Sequence, residues 1–450
     1  MKSGSKINPT TASTTVAGRR NSETTSFIKL EEESQAKSRN PIIKNPAGIK
    51  NIKKNASTYK NPKQKIPFGG NKNLDFMKNS FIWKENSALQ NFSKFYPSVW
   101  AAIKDKIALK QVYSKISPNI KSLNTNHAEL IREALMKSIV KRSINDSKSV
   151  PKMYLNYKMT KTPQVIWIVT TWRSGSTFLG DVLKEIPGSF YTFEPLLHLT
   201  NNNGIDQNTL NRSLDIIQSL GHCNYTDLQD YLKFERKLTM TKSRHSWMLV
   251  HNERALKPCE NLGPICVDAD FMSESCELFP MRITKTVRLS LMQASNMLYN
   301  STMNVKIINL VRDPRGVYNS RKKLPWCKSE ACKNMTYHCQ RLEDDLEFAT
   351  GLQKEFPENY RLLRYEDLCK HPVNILKDLL GFLQVPYLKV LQEFVKYHTS
   401  GVKVGKSKHS TFRNSMDTYA KWKKELSKAQ IQSIQNQCSD PLKTLGYEFL

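Results

Sequence analysis

The sequence predicts an α/β fold in which helices flank a mainly parallel sheet. Three runs of strand length, rich in β-branched, aliphatic and aromatic residues, occupy positions 165–169, 305–311 and 360–364. The first is almost continuously apolar, which is typical of a strand buried on both faces. Because helical patterns separate and follow these runs, a doubly wound sheet is favoured over a β-sandwich.

Helices are predicted between and after these runs, at about 176–186, 284–299, 315–323, 339–355, 372–383 and 417–436.

The chain divides into three regions by composition. Residues 1–75 are rich in Lys, Asn, Ser, Thr and Pro and predict a disordered basic stem, because they bury too little apolar surface to offset the entropy of ordering. In 76–160 apolar residues return at helical spacing and predict accessory helices, which either pack on the core or offer a partner surface. The α/β domain is expected in 161–450.

The formal net charge of +29 is distributed unevenly. Residues 1–160 hold 30 Lys and Arg against 10 Asp and Glu, whereas 161–450 hold 39 against 30. Such a basic segment is either a solvated tail or a surface for a polyanion such as nucleic acid. Since no helix-turn-helix, zinc or aromatic-interleaved basic motif accompanies it, nucleic-acid binding is kept only as an alternative function.

All nine cysteines lie at or after Cys223, and their spacings contain no CxxC pair, so no metal site is expected. Cysteines in the folded region favour an oxidising lumen. Residues 1–60, however, are polar and predict neither a signal peptide nor a membrane anchor. Glycosylation sequons, which agree with the luminal reading, occur at Asn55, Asn91, Asn145, Asn211, Asn224, Asn300 and Asn334.

A small-residue loop follows the first predicted strand and leads into a helix. Glycine and serine allow the backbone to approach an anion closely, and the first amides of the helix point towards it. Hydroxyls and a guanidinium add donors for a transferred anionic group. An ordinary capped turn is the alternative. The residues are Trp172, Arg173, Ser174, Gly175, Ser176, Thr177 and Phe178.

The same loop lacks the GxxxxGK[ST] pattern, which disfavours kinase and GTPase functions because no Lys and hydroxyl stand at the required spacing. A second strand-to-helix junction, LVRDPRGVYNSR, begins at Leu310. Arg312 ends the strand where open α/β sheets bind ligands, and Ser320 lies about two turns into the helix.

Together these motifs resemble the Golgi carbohydrate 6-O-sulfotransferases that act on Gal, GalNAc or GlcNAc. The shared segments are TTWRSGSTF, FYTFEPLLH, LVRDPRGVYNSR and LLRYEDL, and the similarity covers about residues 163–450. The WRSGS segment is most similar to the members of this family that act on GlcNAc. The resemblance implies a P-loop-like sulfotransferase fold that uses 3′-phosphoadenosine-5′-phosphosulfate (PAPS) as sulfuryl donor without a metal.

The resemblance also implies roles for the two loops. The loop from Trp172 to Phe178 would hold the 5′-phosphosulfate, with Arg173 offsetting charge on the moving sulfuryl group. Arg413, in a basic segment before Trp422, would contact PAPS, and a solvated surface charge is the alternative interpretation. The 3′-phosphate would be held by the segment Arg312, Asp313, Pro314, Arg315, Gly316, Val317, Tyr318, Asn319 and Ser320.

For the general base that accepts the acceptor proton, Glu194 is the chosen candidate and His198 its rival. A structural, ion-paired carboxylate is the alternative interpretation of Glu194. A relative that keeps the PAPS loops but has lost catalysis is a further alternative.

The family implies a glycan or glycoprotein acceptor, no nucleic acid, and membrane association in the Golgi, whereas residues 1–60 predict no signal anchor. Candidate disulfides are a Cys369–Cys438 bridge and pairs within 327–339, and the spacing leaves the connectivity open.

Overall fold

Five parallel strands form a sheet, which confirms the α/β class and the parallel sheet. The computed structural model describes residues 125–200, 204–239, 246–259, 262–300, 303–402 and 411–450. The strands are β1 Gln164–Thr170, β2 Ser189–Phe193, β3 Met281–Thr286, β4 Asn304–Val311 and β5 Tyr360–Arg364. Their order in the sheet is β2-β3-β1-β4-β5.

Helices flank this sheet. In chain order they are α1 Thr125–Ser149, α2 Pro151–Thr160, α3 Ser176–Lys184, α4 Leu197–Thr200, α5 Gln207–Gly221, α6 Gln229–Thr239, α7 Trp247–His251, α8 Glu253–Leu256, α9 Gly263–Cys266, α10 Ala269–Glu277, α11 Leu291–Asn300, α12 Pro314–Arg321, α13 Glu330–Lys333, α14 Met335–Glu355, α15 Tyr365–Lys370, α16 Pro372–Phe382, α17 Lys389–Thr399, α18 Ser415–Ala420, α19 Trp422–Glu425, α20 Lys428–Gln437 and α21 Ser439–Thr444.

The sheet positions the two loops side by side. β1 and β4 are parallel neighbours, with Thr170 opposite Leu310, so the segments that leave their carboxyl ends emerge at one edge. Residues 165–170 of β1 are all buried, as its β-branched sequence predicts. This edge is where ligands of open α/β sheets bind.

Two predicted helices are partly wrong. The helix expected over 284–299 begins only at Leu291, because Met281–Thr286 is the buried strand β3. The charged residues of β3 obscure the strand pattern in the sequence. They can be buried because each has a hydrogen-bonding partner; Arg282, for example, donates to the Gly221 carbonyl at 2.8 Å. The helix expected over 417–436 is three helices, since Ser427 caps a new one in a capping box with Gln430.

Residues 1–75 and 76–124, where the stem and part of the accessory region are predicted, lie outside the described residues. In α1, Ile131, Leu135 and Ile139 are buried. Asp146 at its far end accepts two hydrogen bonds of 2.5 Å from Arg254. α1 is therefore packed into the fold. Among the helices described, none is long and apolar enough to cross a membrane.

Eight of the nine cysteines are paired. The bridges are Cys223–Cys276, Cys259–Cys266, Cys327–Cys332 and Cys339–Cys438. Pairing within 327–339 is confirmed by Cys327–Cys332. The expected Cys369–Cys438 bridge is wrong, because the Cα of Cys339 lies 5.0 Å from that of Cys438, and Cys369 remains a buried thiol.

Candidate active site

The loop after β1 turns sharply into α3. Gly175 precedes the helix with φ of +93°, and a Cβ at this position would lie 2.2 Å from the ring of Tyr365. A glycine is therefore required both by backbone conformation and by space. Arg173 also adopts a positive φ, 72°, which is unusual for a residue with a side chain and is a strain common at ligand-binding loops.

The second junction starts α12 through Asp313 and Pro314. The Asp313 carboxylate accepts the Arg315 backbone N–H at 2.9 Å and pairs with the buried Arg315 guanidinium, while Pro314 supplies the first helical residue. Arg315 also donates to Gln435 at 2.7 Å. These residues form the scaffold of the junction rather than the wall of a cavity.

Three hydrogen bonds join the two loops. Arg173 Nε donates to Ser320 Oγ at 2.9 Å, and Arg312 Nη1 donates to the Arg173 carbonyl at 2.9 Å. Arg321 Nε donates to the Trp172 carbonyl at 3.0 Å. The first loop is thus held by α12 and by the end of β4.

A cavity of about 880 Å³ opens between these loops. Of the residues predicted to bind PAPS, the structure brings the following to its wall: Trp172, Arg173, Gly175, Ser176, Thr177, Phe178, Arg312, Gly316, Asn319, Ser320 and Arg413. The remaining predicted residues, which do not line it, are Ser174, Asp313, Pro314, Arg315, Val317 and Tyr318.

The cavity is strongly cationic where the loops meet. Burial, and then the nearby charges of Arg312 and Arg413, lower the pKa of Arg173 to about 10. Like charges held together in a partly buried space are relieved by an anion, and groups with perturbed pKa values in a cleft indicate a functional site. The arrangement therefore suits a ligand with more than one negative group.

Glu194 follows β2 and lies on the wall of the same cavity, buried and with φ of +48°. One carboxylate oxygen accepts from Lys285 Nζ and the other from Arg288 Nη1. Arg288 Nε also donates to Thr200 Oγ1 at 2.9 Å. Burial lowers the pKa of Lys285, and the charge of Glu194 opposes that effect. Glu194 is therefore both a residue of the cavity wall and an ion-paired carboxylate.

His198 lies elsewhere. Its Nδ1 is 2.9 Å from the Pro195 carbonyl and its Nε2 is 3.3 Å from Asp230, and it does not line the cavity. Arg413 does line it, and the backbone N–H of Arg413 donates to the His398 carbonyl at 3.0 Å.

Several lining residues were absent from the sequence-based site. Lys285 and Arg288 were missed because both lie in the segment 284–299 that was predicted to be a helix. Tyr365 belongs to the shared segment LLRYEDL, to which no role in the site was assigned, yet its ring lies under Gly175 and Arg312. Trp247 and His251 also line the cavity, and no spacing in the sequence marks them. In the described part of the chain no group of three or more His, Cys, Asp or Glu side chains could hold a metal ion.

Comparison with known proteins supports the resemblance that the two loops indicated. The family model described as "Sulfotransferase domain" matches residues 163–446. Human carbohydrate sulfotransferase 1 is 28% identical over 336 residues, covering 65% of this chain and 81% of its own length. Mouse carbohydrate sulfotransferase 5 is 25% identical over 320 residues, covering 63% and 80%.

Among solved structures, the sulfotransferase domain of the Synechococcus PCC 7002 olefin synthase has a TM-score of 0.35 and 18% identity, covering 64% of this chain and 96% of its own. The curated relatives confirm the resemblance to carbohydrate sulfotransferases. Because the family model spans more than half of its length, this chain belongs to the sulfotransferase domain family and is a sulfotransferase.

Proposed function

We propose that this enzyme transfers a sulfuryl group from PAPS to the 6-hydroxyl of a GlcNAc residue, or of Gal or GalNAc, in a glycan. The observation that carries the proposal is the meeting of the two loops at one cationic cavity, where Arg173, Arg312 and Ser320 lie within a single hydrogen-bonded group. A donor with phosphates at both the 3′ and 5′ positions suits two such cationic loops.

In this proposal the amides at the start of α3 and the Arg173 guanidinium bind the 5′-phosphosulfate. Arg312 and Ser320 bind the 3′-phosphate. Arg312 Nε is buried and has no hydrogen-bond partner among the described residues, so a donor remains available for a ligand. The ring of Phe178 is stacked near that of His398, with centroids 6.4 Å apart, and offers an aromatic surface for the adenine ring of the donor.

The reaction forms a bond between the acceptor oxygen and sulfur and breaks the bond between sulfur and the bridging oxygen, releasing 3′-phosphoadenosine-5′-phosphate (PAP). Arg173 offsets the negative charge on the moving group and on the leaving phosphate. Glu194 takes the acceptor proton. A carboxylate has about four lone-pair sites, and Lys285 and Arg288 engage one on each oxygen, so sites remain for the acceptor hydroxyl.

We place this reaction in the Golgi lumen. Four disulfides suit an oxidising compartment. The sequon residues Asn145, Asn211 and Asn334 are exposed.

The test is incubation of the full chain with sulfur-labelled PAPS and oligosaccharides ending in GlcNAc, GalNAc or Gal. Labelled sulfate on a 6-hydroxyl, located by mass spectrometry, is the expected result. Binding of PAP without transfer to any sugar would instead identify a catalytically inactive relative. If neither PAP binding nor transfer occurs, the donor assignment fails as well.

A further inference from the structure

One end of the cavity is aromatic and is not used by the donor loops. The rings of Phe193 and His251 are stacked there, with centroids 3.7 Å apart and planes 11° apart. Trp247 meets Phe193 edge-on at 5.7 Å. All three line the cavity, and Phe193 immediately precedes Glu194. An aromatic surface therefore lies next to the carboxylate proposed to receive the acceptor proton.

His251 brings unused hydrogen-bonding groups to this end. Neither of its ring nitrogens hydrogen-bonds to a residue that the structure describes, and its ring is stacked on that of Phe193. Burial, with the charges of Lys184 and Lys285, lowers the pKa of His251 to about 3. The imidazole is thus neutral and presents one donor and one acceptor.

The short helix α7 holds Trp247 and His251 in place. Because they are four residues apart, they lie on the same face of the helix. The opposite face is fixed, since Met248 and Leu249 are buried. Ser246 caps the helix and donates to the buried Glu235 carboxylate at 2.7 Å. The aromatic pair is therefore part of a supported wall.

We propose that Trp247 and His251 form the acceptor subsite, in which an uncharged sugar ring packs its C–H face on Trp247 and one of its hydroxyls hydrogen-bonds to His251. The proposal rests on the proposed function above. Ligand sites combine apolar and aromatic walls with a few placed polar groups, which is the composition found here. The charged groups at this end, Glu194 with Lys285 and Arg288, are paired with one another, so the ring of Trp247 and the neutral imidazole of His251 are the groups offered to a sugar.

The test uses the full chain and separates donor from acceptor binding. Trp247→Ala removes the stacking surface and Trp247→Phe retains part of it. His251→Phe keeps a ring against Phe193 but removes both nitrogens. Val250→Ala is the matched control, because Val250 is on the same helix but exposed and outside the cavity. PAP affinity is measured by calorimetry, and acceptor KM and kcat by transfer from labelled PAPS.

We expect Trp247→Ala and His251→Phe each to raise the acceptor KM by roughly 3- to 15-fold, the range of one aromatic contact or one hydrogen bond. Trp247→Phe should have a smaller effect, and PAP affinity should stay within about twofold for all variants. Unchanged acceptor KM in both variants would overturn the subsite while the transferase function stands. If the unaltered chain sulfates no sugar, the proposed function fails and the subsite fails with it.

Discussion

Arg173 Nε donates a 2.9 Å hydrogen bond to Ser320 Oγ, which joins two loops separated by 147 residues of sequence. The bond aligns a group proposed for the sulfuryl end of the donor with one proposed for its 3′-phosphate. Side chains that hold each other in place in this way lose less freedom when they bind a ligand.

Removing either partner should have different consequences. We expect Ser320→Ala to weaken PAP binding by roughly 10- to 150-fold, the value of one hydrogen bond to a charged group. Arg173→Ala should lower kcat by about 10²- to 10³-fold, as loss of a charge-stabilising donor does. Calorimetry with PAP and transfer of labelled sulfate measure the two effects. Arg361→Ala is the control, since Arg361 pairs with Asp378 outside the cavity; wild-type kcat for Arg173→Ala would contradict the role.

Gly175 should not tolerate a side chain. Gly175→Ala places a methyl group against the Tyr365 ring at a positive φ, so we expect the free energy of unfolding to fall by about 2 kcal/mol or more and PAP binding to be lost. The control is Gly381→Ala in α16, where an added Cβ meets nothing within 4 Å. That change should stabilise the helix by about 0.5–1 kcal/mol. Equal thermal stability of the two variants would refute the requirement at Gly175.

The two loops were predictable because their information is local: a buried strand, small residues and a helix start follow one another in the sequence. Strand β3 was not predictable in this way, because the burial of its charged side chains depends on partners that are distant in the sequence. Lys285 in β3 is buried through Glu194, 91 residues away. A single sequence does not reveal such a pairing, and the charges make the strand resemble an exposed helix.

The same limit applies within the motifs. Arg315 and Arg312 are three residues apart and chemically alike, yet Arg315 is fixed by Asp313 and lies over the Trp422 ring at 4.2 Å, whereas Arg312 faces the cavity. Which arginine faces the ligand is decided by the position of the last helices of the chain. Trp247 and His251 reach the cavity through similar tertiary packing.

Glu194 can be tested for its two possible contributions. Glu194→Gln should abolish transfer and also destabilise the fold by about 3–5 kcal/mol, because Lys285 and Arg288 lose their buried partner. Adding Lys285→Met should recover part of the stability but no activity. Thermal unfolding and labelled-sulfate transfer separate the two effects. Transfer at an unaltered rate in a folded Glu194→Gln enzyme would exclude Glu194 as the base.

The disulfide assignment predicts which cysteines can be removed. Replacing Cys339 and Cys438 together with Ala should cost about 2–5 kcal/mol, because their bridge closes a loop of 99 residues. Cys369→Ala should cost roughly 1 kcal/mol, as ordinary core truncations do. Alkylation of the denatured, unreduced protein should label Cys369. A peptide that links Cys369 to Cys438 in a non-reducing digest would contradict the assignment.

Glu235, which supports α7, should make stability depend on pH. Burial raises the pKa of Glu235 to about 7, against the hydrogen bonds from Ser246 and the Met248 backbone. The folded state therefore binds the proton more tightly than the unfolded chain, whose carboxyl titrates near 4.5. The stabilisation that the protonated Glu235 carboxyl gives the folded state is fully present below about pH 4.5 and is lost as the pH rises through about 7.

Glu235→Gln keeps an oxygen for Ser246 and removes the titration. From about pH 5 to about pH 8 the wild-type unfolding free energy should fall relative to the variant by on the order of 3 kcal/mol, so that the variant is the more stable protein at the higher pH. Chemical denaturation at both pH values measures the difference. Parallel pH profiles for the two proteins would show that the Glu235 carboxyl does not titrate in this range, and α7 would then be held by a permanently charged or permanently neutral group.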